Sequence, residues 1–484
     1  MKRTIYKKLL LVFIGIFGWL FATSQKQPDS LYQYLVIAAK NNPTVQQKFY
    51  EYKAALQKVP QVGSLPDPEL NVGVFIQPME LVDGKQNADI RLMQMFPWFG
   101  TLKAAKDEMS LMAKAKYESF RDAKLQVFFD VKRSWYELQK VQQDILISEK
   151  NLDILHTVER LTLVKFKTAA TVGNSSNPKG GSMSGGNTQN VSGGSQGMQT
   201  MGSNSANQPG SNSSQASPPM QNSSMGSSSG SSGLADLYRI QIEIGELENN
   251  VALLKTQLNT IVARFNAYLN RTPEFPVQLP VSLLPDSLGL SLLAVTDSML
   301  SNNPMLGMLQ YEQQSLDARK KMVTKMGYPM IGLGLNYTVI SKSEMSTSSM
   351  NGRDMIMPMA TVTLPIYRNK YNALKSEAEL LKSANKQNFQ ATANSLQTDY
   401  YAAVQLFKDG QRRSVLYNNQ SNLAEKTLDI MLKSFSTSVT PLTDILRVQQ
   451  QLLDYEFKKI EAVVDYNTAI SWLQRLMASS PVQE

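Results

Sequence analysis

The sequence predicts a mainly α-helical protein with a β-barrel part, assembled from two copies of one helix–strand–strand–long-helix unit. Three observations predict it. Matching residues recur at fixed offsets along the chain. Two stretches keep helical spacing for more than sixty residues, the first without a single proline or glycine. Four short stretches alternate apolar and polar residues with a period of two.

Composition narrows the chemistry before any element is placed. The chain has 484 residues, no cysteine and one histidine. Disulfides, thiolate metal sites and thiol nucleophiles are therefore excluded, and a multi-histidine metal centre or histidine triad has nothing to be built from. The formal charge of +9 falls to +5 once Lys2, Arg3, Lys7 and Lys8 are set aside as part of a leader. That is too mild a balance to argue for nucleic acid.

Leu9 to Ala22 follows those cations as an almost unbroken apolar run of 14 residues, and Ala22-Thr23-Ser24 supplies small residues before Gln25. This order reads as a signal peptide over residues 1–24. The run is short of the roughly 20 residues a spanning helix needs, and no later stretch reaches that length. With no cysteine beside the cleavage site, lipid anchoring there is excluded. The mature chain is expected either in solution outside the cytoplasm or in the outer membrane as a β-barrel.

The repeat then sets the order of elements. Asn41-Asn42-Pro43 recurs as Asn302-Asn303-Pro304, and Tyr50-Glu51, Pro68 and Gly73 recur at the same offset of 261 as Tyr311-Glu312, Pro329 and Gly334. Phe96-Pro97 matches Leu364-Pro365 at 268, so the second copy has a longer loop between its strands. Phe166 pairs with Phe435 at 269, and Asp236 to Gln241 pairs with Asp444 to Gln449 at only 208. The difference of 61 is the length of Gly173 to Gly233, which holds 19 Ser, 13 Gly, 8 Asn, 6 Gln and 4 Pro, with Lys179 its only charge. Offset and composition locate the same insertion independently, a disordered Ser/Gly/Asn/Met-rich segment over residues 173–233. The first copy thus covers residues 25–290 and the second 291–484.

Each copy opens with a helix, Asp29 to Val59 and Leu292 to Met326. Alternation follows in Leu70 to Ile76 and Ile331 to Val339, then a polar loop (Glu80 to Asn87, Ser341 to Asp354). A second alternating strand runs to proline, Ile90 to Phe96 and Ala360 to Leu364, so the strand regions span about 69–97 and 329–366. Small Gly, Asn and Thr opposite outward aliphatics fit a lipid-facing barrel wall, although four strands cannot close a barrel alone. A soluble hairpin packed on helices shares the same alternation. Leu102 to Phe166 follows as one helix, with Val127, Val131, Trp135, Leu138, Ile145 and Leu155 on its apolar face. Tyr371 to Phe435 repeats it, with Gly410 as a weak point near the middle. Shorter helices return, Leu234 to Asn270 and Leu442 to Met477, giving helical hairpins over about 102–270 and 371–477.

With these elements in order, the chain resembles the TolC-like outer membrane efflux protein family, the outer membrane factors of tripartite pumps, with the copper/silver branch as one option within it. The resemblance rests on the twice-repeated unit, on Phe96-Pro97 and Leu364-Pro365 ending the strands, and on the paired segments Asp236 to Gln241 and Asp444 to Gln449. The glycine such tips carry after the aromatic residue is Ser438 here. The family implies a homotrimer with a 12-stranded barrel in the outer membrane and a helical barrel crossing the periplasm. It also implies partners, namely a periplasmic adaptor (membrane fusion protein) and an inner-membrane pump of the resistance-nodulation-division type. Such proteins are passive ducts, so neither enzymatic activity nor a cofactor is expected, and nucleic acid is not a partner. Multidrug efflux and type I secretion use the same duct. A periplasmic coiled-coil scaffold without a pore is the alternative from another class.

Two residue sets carry candidate specificity. Asp236 with Arg239, and Asp444 with Arg447, are three apart on the returning helices and so share a face. Together with Thr440 and Pro441 they are candidates for a periplasmic gate or adaptor docking, where threefold repetition would make a ring of charge. Helix N-capping by the two Asp residues is the competing reading. The second set is methionine, 24 in all. Met183, Met198, Met201, Met220 and Met225 lie in the insertion, and Met322, Met326, Met330, Met345, Met350, Met355, Met357 and Met359 in or beside the second strand hairpin. Thioethers are soft ligands that select Cu(I) and Ag(I). Met345, Met350, Met355, Met357 and Met359 join the five of the insertion as weak metal contacts, against the reading that the insertion is a methionine-tolerant linker. Two G-x-S-x-G matches, Gly181 to Gly185 and Gly226 to Gly230, fall in low complexity and carry no catalytic weight. His156 reads as a packing or surface residue of the long helix.

Overall fold

A computed structural model describes residues 31–173, 232–287, 292–436 and 440–479. The expected signal peptide, the insertion apart from its ends, its five methionines, both G-x-S-x-G matches and Ser438 lie outside these residues.

The single helix expected at the start of each copy is in fact two. In the first copy they are α1 (Leu31–Asn41) and α2 (Pro43–Gly63). Pro43 has no N–H to donate and pushes the residue before it out of the helical region, so Asn42 is extended at φ −63° and ψ 125°. Its Oδ1 then accepts from Thr44 N at 2.9 Å and Val45 N at 3.3 Å, capping α2.

From α2 the chain enters β1 (Glu69–Leu81) and turns through Val82-Asp83 into β2 (Gly84–Phe96). The polar loop expected over Glu80 to Asn87 is therefore mostly strand. Gly84, at φ +131°, supplies the backbone conformation that lets so short a turn close. A 73-residue helix follows, α3 (Thr101–Gly173), which at 1.5 Å per residue is ~110 Å long. The return helix is α4 (Ser232–Tyr268).

The second copy repeats the order as α5 (Leu292–Asn302), α6 (Pro304–Met326), β3 (Met330–Ser341), β4 (Met355–Thr363), α7 (Arg368–Ser436) and α8 (Leu442–Leu476). Met322 and Met326 thus belong to α6 rather than to the strands. Asn303 caps α6 as Asn42 caps α2, its Oδ1 accepting from Met305 N at 3.0 Å.

The strands form one antiparallel sheet in the order β1-β2-β3-β4, so the two copies meet where β2 pairs with β3. Its outer strands each contain a proline, Pro78 and Pro358, which strands tolerate at edges. The β1–β2 register shifts between Val74 and Met79, around Pro78.

The helices hang from the sheet with α3 as the common neighbour: α1, α2, α4, α6 and α8 all pack on it, while α7 packs on α6 and α8. Apolar residues of α1, α3 and α4 make one core around Tyr34, Trp135 and Phe265. The corresponding helices of the second copy make another around Met299, Leu396 and Leu473. A third core, around Leu155, Ile240, Phe435 and Ile445, ties α3, α4, α7 and α8 together near the far end. The apolar positions expected on α3 from Val127 to Leu155 are those that fill these cores.

α7 runs through Gly410 unbroken. A Cβ there would lie 2.9 Å from Tyr466 N and 3.1 Å from Ala462 O, so the glycine lets the backbones of α7 and α8 approach closely.

Candidate functional site: the sheet faces and the helical tips

The register sorts the strand side chains onto two unlike faces, because directly paired residues point the same way. One face carries Leu70 and Val72 of β1, beside Leu92 and Ile90 of β2, Leu335 and Tyr337 of β3, and Pro358 and Ile356 of β4. Most of these apolar side chains are exposed, Val72 at 61% and Leu333 at 55%. At one end of that band lies an apolar recess lined by Leu65, Phe96, Trp98, Phe99 and Ile331, where Trp98 stacks on Tyr328 with centroids 5.2 Å apart.

The other face is polar and small-residue rich. Asn71, Arg91 and Asn336 sit in one row and Gly73, Asp89 and Thr338 in the next. Methionines share this face: Met93 and Met95 on β2, Met330 on β3, and Met355, Met357 and Met359 on β4. Met93 and Met359 flank Gly334, Met95 is opposite Gly332, and Met357 is opposite Asn336. Sequence spacing singled out the β4 methionines but not Met93 and Met95. Only the pairing of β2 with β3, across more than 230 residues of chain, puts them together.

Met345 and Met350 are elsewhere, in the loop between β3 and β4, and Met345 is 81% exposed. That loop is tied to the β1–β2 turn by Ser343 Oγ donating to Glu80 Oε1 at 2.9 Å and Ser348 Oγ donating to Asp83 Oδ1 at 2.7 Å.

At the opposite end the tip residues lie near the starts of α4 and α8. Asp236 is the fifth residue of α4, so it is not the N-cap of that helix. Pro441 is the N-cap residue of α8 and contributes no side-chain bond, while Asp444 lies in the first turn. Asp444 therefore favours the helix N-terminus through its charge rather than as the cap, and it pairs with Arg447 at 3.6 Å. Thr440 is half-buried and Arg239 exposed. Gly233 approaches Phe166 so closely that a Cβ would lie 2.9 Å from the ring, and Phe435 is buried at the equivalent point of the second hairpin.

Between sheet and tips, α3 buries several acids. Burial pushes the Asp144 carboxyl above its ordinary 3.8, although Lys140 lies 3.3 Å away and opposes the shift. Asp122 is raised in the same way, against Arg475. Lower down, Lys150 of α3 reaches Glu425 of α7 and Glu456 of α8, each at 3.4 Å, and Gln449 donates to Asn151 at 3.2 Å. His156 is exposed and 3.5 Å from Glu159. Among the described residues no cluster of His, Cys, Asp and Glu could hold a metal ion, and no helix is long and apolar enough to cross a membrane.

This sheet-on-helical-hairpin arrangement occurs in known structures. CusC, whose structures are described in terms of folding and transmembrane channel formation, is 12% identical with a TM-score of 0.67, over 93% of this chain and 92% of that one. The outer membrane protein VceC of Vibrio cholerae is 11% identical with a TM-score of 0.65, over 93% and 96%. The open state of the Neisseria gonorrhoeae MtrE outer membrane channel is 12% identical with a TM-score of 0.65, over 93% and 88%. The fold is that of outer-membrane channels. No family model matches the sequence, and no curated protein does. What the chain shares with these structures is the fold.

Proposed function

We propose that the chain is one subunit of a trimeric exit duct in the outer membrane. Three copies would close their four-stranded sheets into a 12-stranded barrel, with the helical hairpins forming the periplasmic tube. The duct would passively carry cargo from a periplasmic adaptor and an inner-membrane pump of the resistance-nodulation-division type. The observation that carries this reading is the two-faced sheet. Its exposed aliphatic band has no protein core to cover it, its opposite face is polar, and β1 and β4 each keep an open edge among the described residues. An open edge and an uncovered apolar face are both unfavourable in water, and closure of a barrel in lipid removes both costs. A periplasmic scaffold without a pore leaves that band unexplained.

The test is extraction and conductance. The protein should leave membranes only with detergent, migrate as a trimer, and open ion-conducting pores in planar bilayers. A soluble monomer without conductance would overturn the duct.

For cargo, soft monovalent metals, Cu(I) and Ag(I), are preferred over drugs or secreted protein because of the methionines. A gene-deletion strain should become sensitive to graded copper and silver; sensitivity to a hydrophobic dye alone would move the reading to drug efflux. Asp236, Arg239, Thr440, Pro441, Asp444 and Arg447 are proposed as the gate or adaptor contact. Deleting residues 173–232 should raise metal sensitivity while the trimer still assembles. Unchanged resistance would leave the insertion as a tolerated linker.

A further inference from the structure

We infer that the polar face of the sheet is a binding surface for Cu(I) or Ag(I), built from the thioethers of Met93, Met95, Met357 and Met359. The inference deepens the duct reading and rests on it for the direction from which metal arrives.

Four features of the face support it. The first is convergence. A Cβ on Gly332 would lie 2.6 Å from the Met95 sulfur and 3.6 Å from the Met93 sulfur, so both thioethers gather over one residue that lacks a side chain. The second is spacing. Met93 and Met359 are separated by a single strand, and the residue between them is Gly334. Neighbouring strands are ~4.8 Å apart, so the two methionine backbones are ~10 Å apart and Gly334 puts no side chain between them. Metal–sulfur bonds of ~2.3 Å need two sulfurs within ~4.6 Å, which rotation about the methionine bonds can supply.

The third feature is the absence of a packing role. None of the three hydrophobic cores includes these methionines, and Met357 is 46% exposed. Leu, Ile and Val side chains lie mainly on the opposite face, with Ile340 the exception at the loop end of β3. The fourth is ligand chemistry. Neutral thioethers hold soft cations without needing to lose a proton, whereas zinc prefers thiolate or imidazole. The chain has no cysteine, and its one histidine is far away on α3.

Met357 lies one row from Met93 and Met359, and Met95 one row to the other side, so the sulfurs form a series along the strands. Several weak sites in sequence let an ion enter and still leave, the condition for conduction.

The test is site-resolved methionine oxidation on the full-length detergent-solubilised protein, using hydrogen peroxide with and without silver nitrate. A sulfur bound to metal is shielded from conversion to the sulfoxide. Ag(I) should slow oxidation of Met93, Met357 and Met359 about tenfold, Zn(II) should not, and loop residue Met345 should be unaffected. In the variant Met93→Leu/Met359→Leu, a volume-conserving change, protection of Met357 should be lost. Equal rates with and without Ag(I), or equal protection of Met345, would overturn the site. Potassium conductance of the same preparation reads the duct separately. Conductance without protection overturns the site and keeps the duct, while protection without conductance overturns the duct and keeps the site as a metal-binding surface.

Discussion

At the residue scale the repeated Asn-Asn-Pro shows how one side chain can serve two helices. Asn42 caps α2 through Oδ1 and donates from Nδ2 to Tyr268 O, the last residue of α4, at 2.9 Å. Asn303 does the same for α6 and for Leu476 O of α8, at 3.4 Å. Each return helix then ends in a left-handed residue, Asn270 at φ 54° and Ala478 at φ 56°. Arg271 N and Ser479 N close those ends onto Asn266 O and Gln474 O. Asn42→Ala removes a cap and leaves a helix-end carbonyl without its donor, so it should lower stability by about 1–3 kcal/mol in denaturant melts. Asn303→Ala should cost a similar amount, and the two losses should add because the sites are distant. The motif was visible in the sequence as a repeat marker, but its second bond was not, because the partner is 226 residues away. A pH effect belongs to this scale too. Asp144 has its folded-state pKa raised by burial. Its contribution to stability is therefore complete below the ordinary 3.8 and is lost as pH rises through the raised value. Asp144→Asn should raise the melting temperature at about pH 8 and leave it nearly unchanged at about pH 3.

At the scale of elements, Gly410 separates propensity from packing. Glycine in an exposed helix is about 1 kcal/mol worse than alanine, so Gly410→Ala would stabilise an isolated α7. In the folded chain the new methyl group meets backbone atoms of Tyr466 and Ala462 that no rotamer change can move aside. The substitution should instead destabilise by about 1–3 kcal/mol, read from the thermal midpoint. The long helices were legible because their spacing holds for dozens of residues, and the strands because alternation is a local signal. The first helix of each copy was misread as continuous, since an apolar period runs on through a break that only Pro43 and Pro304 impose. The strand ends were misread as well. Glu80, Lys85 and Gln86 look like loop residues, yet they pair across β1, β2 and β3, because the β3–β4 loop that holds this end comes from a distant part of the sequence.

For the whole molecule, the duplication explains why two cores draw on corresponding elements, one from α1 to α4 with Val464 of α8 added and the other from α5 to α8. The sheet is the one place where the copies pair edge to edge, through β2 and β3. Leu335, 48% exposed on the aliphatic face, lies on one of those two strands. In the duct reading Leu335→Arg places a charge against lipid and should cost about 2–4 kcal/mol. Less protein should then be found in detergent-extracted membranes, with helix content of the recovered fraction unchanged by circular dichroism. A soluble protein would tolerate the same change at an exposed position without loss. The methionine face is legible only at this scale, because its residues come from both copies and meet through the pairing of β2 with β3.

The contact of Gly233 with Phe166 has a further consequence for how this chain can change. The two arms of the first hairpin are brought together about two helical turns before α3 ends, so the segment leaves and rejoins the fold within roughly 10 Å of that contact. The entropy of closing such a detour grows only with the logarithm of its length, about 0.6 kcal/mol per doubling. Residue number between Gly173 and Ser232 is thus almost a free variable. Mutation can lengthen, shorten or replace that stretch without renegotiating the helices, which makes the first tip a natural port for acquired sequence and the first place to graft a foreign one.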